Sequence, residues 1–472
     1  MTHKLKYIIA VAFLVIIGAG CSKSLETKPQ QSVLAITTFD QLQAQMRGTY
    51  RGLKSVDYYD GTSAAASAWS SLGDVMGDDF IEALESLGNW RQLGEWRYTA
   101  DDGAVLGAFQ AAYTVIGRAN DVLRFTANFE TGSTENGAKQ IEAQALALRA
   151  NAHFDLMRYF AQSLRRDSDS LGVPYVTIID PANPFKLAPK RNTVKECYDA
   201  IYKDLDASIA LFREAGNPSK DDKSIIDSNA VNCIRARVGL YCGNYADAIQ
   251  AATSVIDNVP LASVDEWPLI WTDESYAEVI WSIPSDQTLT PGFPNNGKSA
   301  SYRVSQAMSD IIFGPAGGVR SDPAVIERDV NGIADFKRTV SYKYGGTTSF
   351  KVFRTAEMYL IRAESKYRTG DVTALDDLND LRGARAVDLG AETGTALFDA
   401  IMLERRIELL AEGHRWHDIK RTTRTIVKTE CGTDDGSLQL VCSVPPSSRS
   451  WIWPIPITQI NLNPNLTQNP NY

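Results

Sequence analysis

At 472 residues the chain exceeds what one ordinary hydrophobic core organises, so two or three packed layers are expected. A net charge of −9 without basic runs argues against nucleic acid as a partner and says little about a neutral ligand. The six cysteines and four histidines show no spacing of a zinc site.

The first segment is a leader. Lys4 and Lys6 precede the apolar run Tyr7–Ile17, which ends in Gly18-Ala19-Gly20-Cys21. A basic start, a short apolar stretch and small residues before a cleavage point read as a secretory signal over residues 1–20. The run is shorter than the ~20 residues that span a bilayer. Cys directly after the small residues reads as a lipobox, with Gly18 where Leu is common. Cys21 then becomes the acylated first residue, and residues 21–37 a polar tether. Acyl chains anchor because each buried CH₂ contributes roughly 0.8 kcal/mol. The alternative is an ordinary signal with an incidental cysteine.

From Thr38 to residue 472 the pattern is mainly helical. Phe39–Lys54 is a helix with Thr37, Thr38 and Asp40 supplying cap chemistry. Gly103–Phe129, Asn136–Gln162, Thr193–Phe212 and Asn229–Ile256 follow. Within the last, a helix ends near Tyr241, Gly243-Asn244 turns the chain, and Ala248, Ala252 and Val255 begin a new buried face. Ala363–Leu378 repeats the arrangement, with Tyr367, Gly370-Asp371 and Ala374 in similar places. Small residues where paired helices touch are the mark of a tetratricopeptide-type repeat.

Two irregular tracts interrupt the helices, 56–102 and 260–344. The first holds Trp69, Trp90 and Trp96 with Asp74, Asp78, Asp79 and Arg91. The second holds Trp267, Trp271 and Trp281, then Tyr302 and Arg303. Long loops on a rigid scaffold carry binding residues disproportionately. Further on, Cys431 and Cys442 bracket a turn-forming Asp-Asp-Gly-Ser, which suits a loop stapled by a disulfide. Cys233 and Cys242 fall on opposite faces of one helix and, with Cys197, read as buried thiols.

The chain closes on Leu397–Arg421, LFDAIMLERRIELLAEGHRWHDIKR, and the tail Trp451–Tyr472, WIWPIPITQINLNPNLTQNPNY. Read as one helix, Ala400, Leu403, Ile407, Leu410, Ala411 and His414 form an apolar stripe. Arg405, Glu408, Glu412 and Arg415 cluster on another face, as pairs three apart worth a few tenths of a kcal/mol. Gly413 costs a bare helix about 1 kcal/mol relative to Ala, so a close neighbour is expected there, with the tail as candidate.

These two pieces closely resemble the C-terminal signature of the SusD/RagB family, surface nutrient-binding lipoproteins of Gram-negative glycan degraders. The resemblance implies a mainly α, SusD-like fold: four tetratricopeptide-type helical pairs as scaffold, with the loop tracts as ligand platform and 397–472 as the signature. It implies an outer-membrane lipoprotein facing the cell exterior, partnered by a SusC-like TonB-dependent transporter. The tether lacks a dense acidic cluster, so the exterior location rests on the resemblance alone.

A sugar ring presents an apolar face and an edge of hydroxyls, so its site needs a flat aromatic plus carboxylate, amide or guanidinium groups. The candidates for oligosaccharide are Trp90, Trp96, Asp74, Asp78, Arg91 and Trp69, then Trp271, Tyr302 and Arg303. Most tryptophans fill cores, and Trp451 and Trp453 are read so. A peptide ligand, as in RagB-like members, and a non-binding lid or scaffold are the alternatives.

No enzyme is expected. HExxH, the P-loop, a dinucleotide GxGxxG and the nucleophile elbow GxSxG are missing from the sequence. Asp74, Asp78 and Asp79 offer carboxylates, but nothing in the sequence fixes the separation that glycoside hydrolysis requires. His414 and His417 fall within the structural signature rather than a metal site. The Asp167–Gly172 stretch starts like a calcium loop and fails at Leu171 and Ile178. No cofactor or metal is assigned, and a structural calcium is not legible.

Overall fold

The computed structural model describes residues 35–472 apart from 60–67, 85, 87, 89, 179–186, 220, 285–301, 322–324, 330–336, 342, 344–347 and 434–436. The leader, Cys21 and most of the tether lie outside the described residues.

Helices α1 (Phe39–Leu53) and α2 (Gly103–Leu123) pack together, and α2 packs on α3 (Glu135–Phe160). The series continues through α4 (Val194–Ala215), α5 (Ser228–Cys242) and α6 (Tyr245–Ile256), each against its predecessor. After a short α7 (Gln306–Phe313) come α8 (Thr355–Thr369), which packs on α6, and then α9 (Ala374–Ala384) and α10 (Gly394–Glu408). The pairs α1–α2, α3–α4, α5–α6 and α8–α9 give the expected helical-pair scaffold.

Local chemistry sets the ends. Thr38 and Gln41 form a capping box at α1, and Thr193 and Glu196 another at α4, each satisfying orphan helix donors. Helices α5 and α8 both end at a glycine in the left-handed region, Gly243 (φ 84°) and Gly370 (φ 79°), as the two repeat turns require. Where α5 meets α6, a Cβ on Gly239 would lie 3.0 Å from that of Ala248. Small residues therefore set this helix spacing. Cys197, Cys233 and Cys242 are buried free thiols.

Strands are short and paired antiparallel: β1 (Phe80–Glu82) with β3 (Tyr302–Val304), and β2 (Val279–Ile283) with β6 (Phe350–Arg354). Likewise β4 (Val325–Asp329) pairs with β5 (Lys337–Ser341), and β7 (Ile426–Val427) with β8 (Ser443–Val444).

The C-terminal signature departs from the single amphipathic helix. The helix breaks after Glu408, Ala411 (φ 63°) and Gly413 (φ 79°) turn the chain, and α11 (Arg415–Arg421) starts anew. The neighbour at Gly413 is not the tail but the first loop tract. A Cβ on Gly413 would sit 2.4 Å from the Trp69 carbonyl oxygen. The tail instead crosses the end of α3: Trp453 N donates to Tyr159 O (2.9 Å), and the Asn469 amide to Phe160 O (2.9 Å). Trp451 and Trp453 are buried, whereas Leu403 is 38% exposed, off the buried stripe.

The charged face is not solvated either. Glu408 is fully buried and takes Arg354 (2.7 Å), Arg385 (3.0 Å) and Arg320 (3.1 Å). Burial alone would push its carboxyl up; Arg385, Arg354 and Arg320 together hold it well below the usual carboxylate range. Glu412 accepts from Lys343 (2.7 Å) and Arg354 (2.6 Å), and Glu278 from Arg354 (2.6 Å) and Arg385 (2.8 Å). Arg405 pairs with Asp418 (2.7 Å), and Arg421 with Asp418 (2.8 Å) and Glu364 (2.7 Å). The three-apart pairs read from the sequence are replaced by long-range ones. The signature is an ionic seam joining the loop tracts to α8.

Candidate functional site

The seam claims several residues whose types suit a ligand. Asp74 is buried; its Oδ2 accepts from Gly413 N (2.7 Å) and its Oδ1 from Arg415 N (3.3 Å), so it holds the turn before α11. Burial pushes its carboxyl up to about 8. Asp78 binds the Arg415 guanidinium through both oxygens (2.5 and 2.9 Å). Burial would raise its carboxyl, but Arg415 outweighs this and holds it below its ordinary value. Asp79 pairs with Arg406.

Three tryptophans are packed inside. Trp69 lies edge-on to Tyr58 (4.4 Å) and Tyr159 (5.7 Å). Trp96 is buried, donates from Nε1 to Met76 O (3.0 Å), and has Lys428 Nζ 5.1 Å from its ring. Trp271 is buried beneath the seam, with Lys343 Nζ 4.6 Å and the Arg354 guanidinium 5.1 Å from its ring.

The remaining candidates come together at the β1–β3 pair. Trp90 is half-buried, with a left-handed backbone (φ 62°), and stacks on Tyr302 (6.1 Å between rings, 19° between planes). A left-handed conformation is uncommon for a bulky residue and is held only where the surroundings over-determine it. Tyr302 is buried on β3 directly opposite Glu82 of β1. Arg91 donates to both oxygens of Glu82 (2.7 and 3.0 Å), yet its side chain stays 34% exposed. Arg303, next on β3, is nearly buried and pairs with Glu430 (2.5 Å).

The stapled loop closes this site from below. Cys431 and Cys442 are joined in a disulfide, Cα to Cα 5.6 Å. The loop runs along β1: Leu438 N donates to Glu82 O (3.3 Å), and Leu440 N to the buried Glu95 carboxylate (2.6 Å). Gln439 is fully buried, and its Oε1 accepts from Lys428 Nζ (3.2 Å). Sequence reasoning missed Glu82, Glu95, Gln439 and Lys428. The signal available for Gln439 was its place between the two cysteines; the others carried none.

A half-buried indole beside a partly exposed guanidinium, over a floor tied by the Glu82, Glu95 and Lys428 contacts, offers an apolar ring and a hydrogen-bonding group. That suits binding. Among the described residues, no group of three or more His, Cys, Asp or Glu side chains could hold a metal ion. Nor is any helix among them long and apolar enough to cross a membrane.

Comparison with known proteins agrees with this architecture. Residues 330–472 match the model of the SusD family, and residues 25–240 match a SusD-like model described as starch-binding, associating with the outer membrane. SusD-like protein P38 of Formosa agariphila is 24% identical, over 98% of this chain and 99% of its own; SusD-like protein P2 of the same organism is 23% identical, over 88% and 90%. A SusD superfamily crystal structure from Bacteroides thetaiotaomicron superposes with a TM-score of 0.80 at 24% identity, covering 92% of this chain and 100% of that one. A putative sugar-binding protein from Bacteroides vulgatus gives 0.79 at 25% identity, covering 93% and 99%. With the fold, the signature and both family-model matches in agreement, the chain is a SusD-like protein.

Proposed function

We propose that the protein is a lipid-anchored receptor that captures oligosaccharide at the cell exterior and passes it to a SusC-like TonB-dependent transporter, without covalent chemistry of its own. Cys21 carries the lipid, and Trp90 and Arg91 form the contact face. The observation that carries this reading is the half-buried Trp90 ring, the least buried of the candidate tryptophans, held on Tyr302 and next to the partly exposed Arg91. The stacking partner and the Glu82 clamp pre-order both side chains, so little rotamer entropy is lost on binding. Trp69, Trp96 and Trp271 are buried and take no part in the contact face.

A second reading, a lid that binds no sugar, draws support from the burial of Trp69 and Trp96. The two separate in affinity electrophoresis of the protein through gels containing a polysaccharide panel. A receptor is retarded by at least one glycan, and Trp90→Ala and Arg91→Ala each relieve the retardation while leaving mobility in plain gels unchanged. Retardation that survives both substitutions sinks the Trp90 platform; no retardation by any glycan sinks the receptor.

A further inference from the structure

Away from the Trp90 face, α1, the first half of α3, the loop 222–225 and the end of β2 line an open cavity of about 710 Å³. That is ample for one or two sugar rings. Its floor is apolar, including Met46, Leu53, Ile141 and Ile283, with the Phe39 and Tyr50 rings on the walls. A relay fixes the wall: Ile226 N donates to Tyr50 OH (2.9 Å), and Tyr50 OH donates to Gln144 Oε1 (2.9 Å). Gln144 is 6% exposed, so this relay is internal structure. Gln140 also lines the cavity and spends its amide N–H groups on Ala215 O (3.3 Å) and Gly216 O (3.1 Å), which leaves its oxygen to accept.

The charge around this cavity runs against that of the chain. The whole sequence carries −9, yet the lining holds Arg47, Arg51 and Lys54 against the single carboxylate of Asp222. Asp222 already accepts from the backbone and side chain of Ser224 (2.9 and 2.6 Å). Arg47 and Arg51 are exposed, stand one turn apart on α1, and make no side-chain hydrogen bond or ion pair with the described residues. Like charges four apart repel by a few tenths of a kcal/mol, so an anion between them relieves a cost as well as filling two forks. A guanidinium matches carboxylate or sulfate through two parallel hydrogen bonds.

We infer that this cavity is a second ligand site, selective for an acidic sugar: a ring carrying a carboxylate or sulfate ester. The anion sits on Arg47 and Arg51, the ring's apolar face lies over the floor, and its hydroxyls reach Gln43 and Gln140. The site shares no residue with the Trp90 face and stands or falls separately from it.

Calorimetry tests this with the full chain in mild detergent, titrated with digalacturonate and with the neutral digalactose. Digalacturonate is expected to bind and to weaken with added salt, while the neutral sugar does not bind at this site. The double variant R47Q/R51Q lowers digalacturonate affinity by about tenfold or more, the scale of lost charge-assisted hydrogen bonds. Both positions are exposed and Gln is a good helix former, so folding is unaffected. Trp90→Ala leaves digalacturonate binding in place, even if it abolishes polysaccharide retention. The inference is overturned if the parent binds no digalacturonate, if the neutral sugar binds equally in the Trp90→Ala variant, or if R47Q/R51Q binds digalacturonate as the parent does.

Discussion

Two regions of this molecule are held together by opposite means. Where α5 meets α6 the contact is apolar and small: Ala248, Ala251, Ala252 and Val255 are buried, and Gly239 faces Ala248. Around the signature the contact is ionic and just as dry, with the side chains of Glu278, Glu408, Arg354 and Arg385 all at most 1% exposed. Apolar contacts degrade gradually, because each methyl group lost removes only its own share. Buried ion pairs do not, because removing one partner strands the others without water or counter-charge. The difference teaches where one residue decides the structure: in the seam that positions the loops, not in the repeats that support them.

The largest effect follows at Glu408. Glu408→Gln leaves Arg320, Arg354 and Arg385 facing each other with one fewer carboxylate, at an expected cost of about 3–5 kcal/mol. Urea denaturation of parent and variant measures it. A loss below about 1 kcal/mol, the range of exposed pairs, would break the contrast between seam and scaffold.

Gly413→Ala and Gly239→Ala sharpen it with one chemical change at two places. At Gly413 the new methyl meets the Trp69 carbonyl at 2.4 Å, both partners are backbone, and φ is +79°. Strain and overlap together should cost more than about 2 kcal/mol. At Gly239 the methyl meets Ala248 Cβ at 3.0 Å and the Ala248 N and Asn244 O backbone atoms at 3.1 Å, tight but not overlapping as at Gly413. Within a regular helix Ala also gains about 1 kcal/mol in propensity over Gly. The net change there should stay within about 1 kcal/mol. Equal losses at both sites in the same denaturation series would show that close packing alone governs both regions.

The scaffold was largely legible in the sequence and the seam was not, for a physical reason. Helix periodicity and the Gly243 and Gly370 turns are local signals, and so is the pair of cysteines around one short loop. The partners of Arg406 and Arg415, by contrast, lie 327 and 337 residues away in Asp79 and Asp78. A helical wheel offers such charges only their neighbours three residues on, and reads the face as solvated. The loop tryptophans fared similarly. Their chemistry fits a sugar wherever they stand, but only tertiary packing separates the half-buried Trp90 from the fully packed Trp69, Trp96 and Trp271. The disulfide loop was visible, whereas its role as a brace beneath Trp90 depends on contacts to Glu82 and Glu95 far upstream.

The smallest effect concerns a buried cation outside the seam. Lys428 Nζ donates to Val75 O (3.1 Å), Phe80 O (3.4 Å) and Gln439 Oε1 (3.2 Å) beneath Trp96, and no carboxylate pairs with it among the described residues. Burial pushes its ammonium down to about 7, against a weaker opposing pull from Asp78, Glu82 and Glu95. The unfolded chain, whose lysine keeps its ordinary value of 10.5, therefore binds more protons than the folded one between those limits. The contribution of this group is fully present above the unfolded value and is lost as pH falls through about 7. Lys428→Met removes the titration, so the stability difference, parent minus variant, should grow as pH rises from 7 towards 10.5. Lys420 titrates in the same direction but is present in both proteins and cancels. Denaturation curves for the pair at several pH values read the slope directly. A difference that stays flat across the window would mean that the ammonium beneath Trp96 is solvated or paired. The floor of the Trp90 site would then resemble the seam, and the contrast between the two regions would narrow to the helical repeats alone.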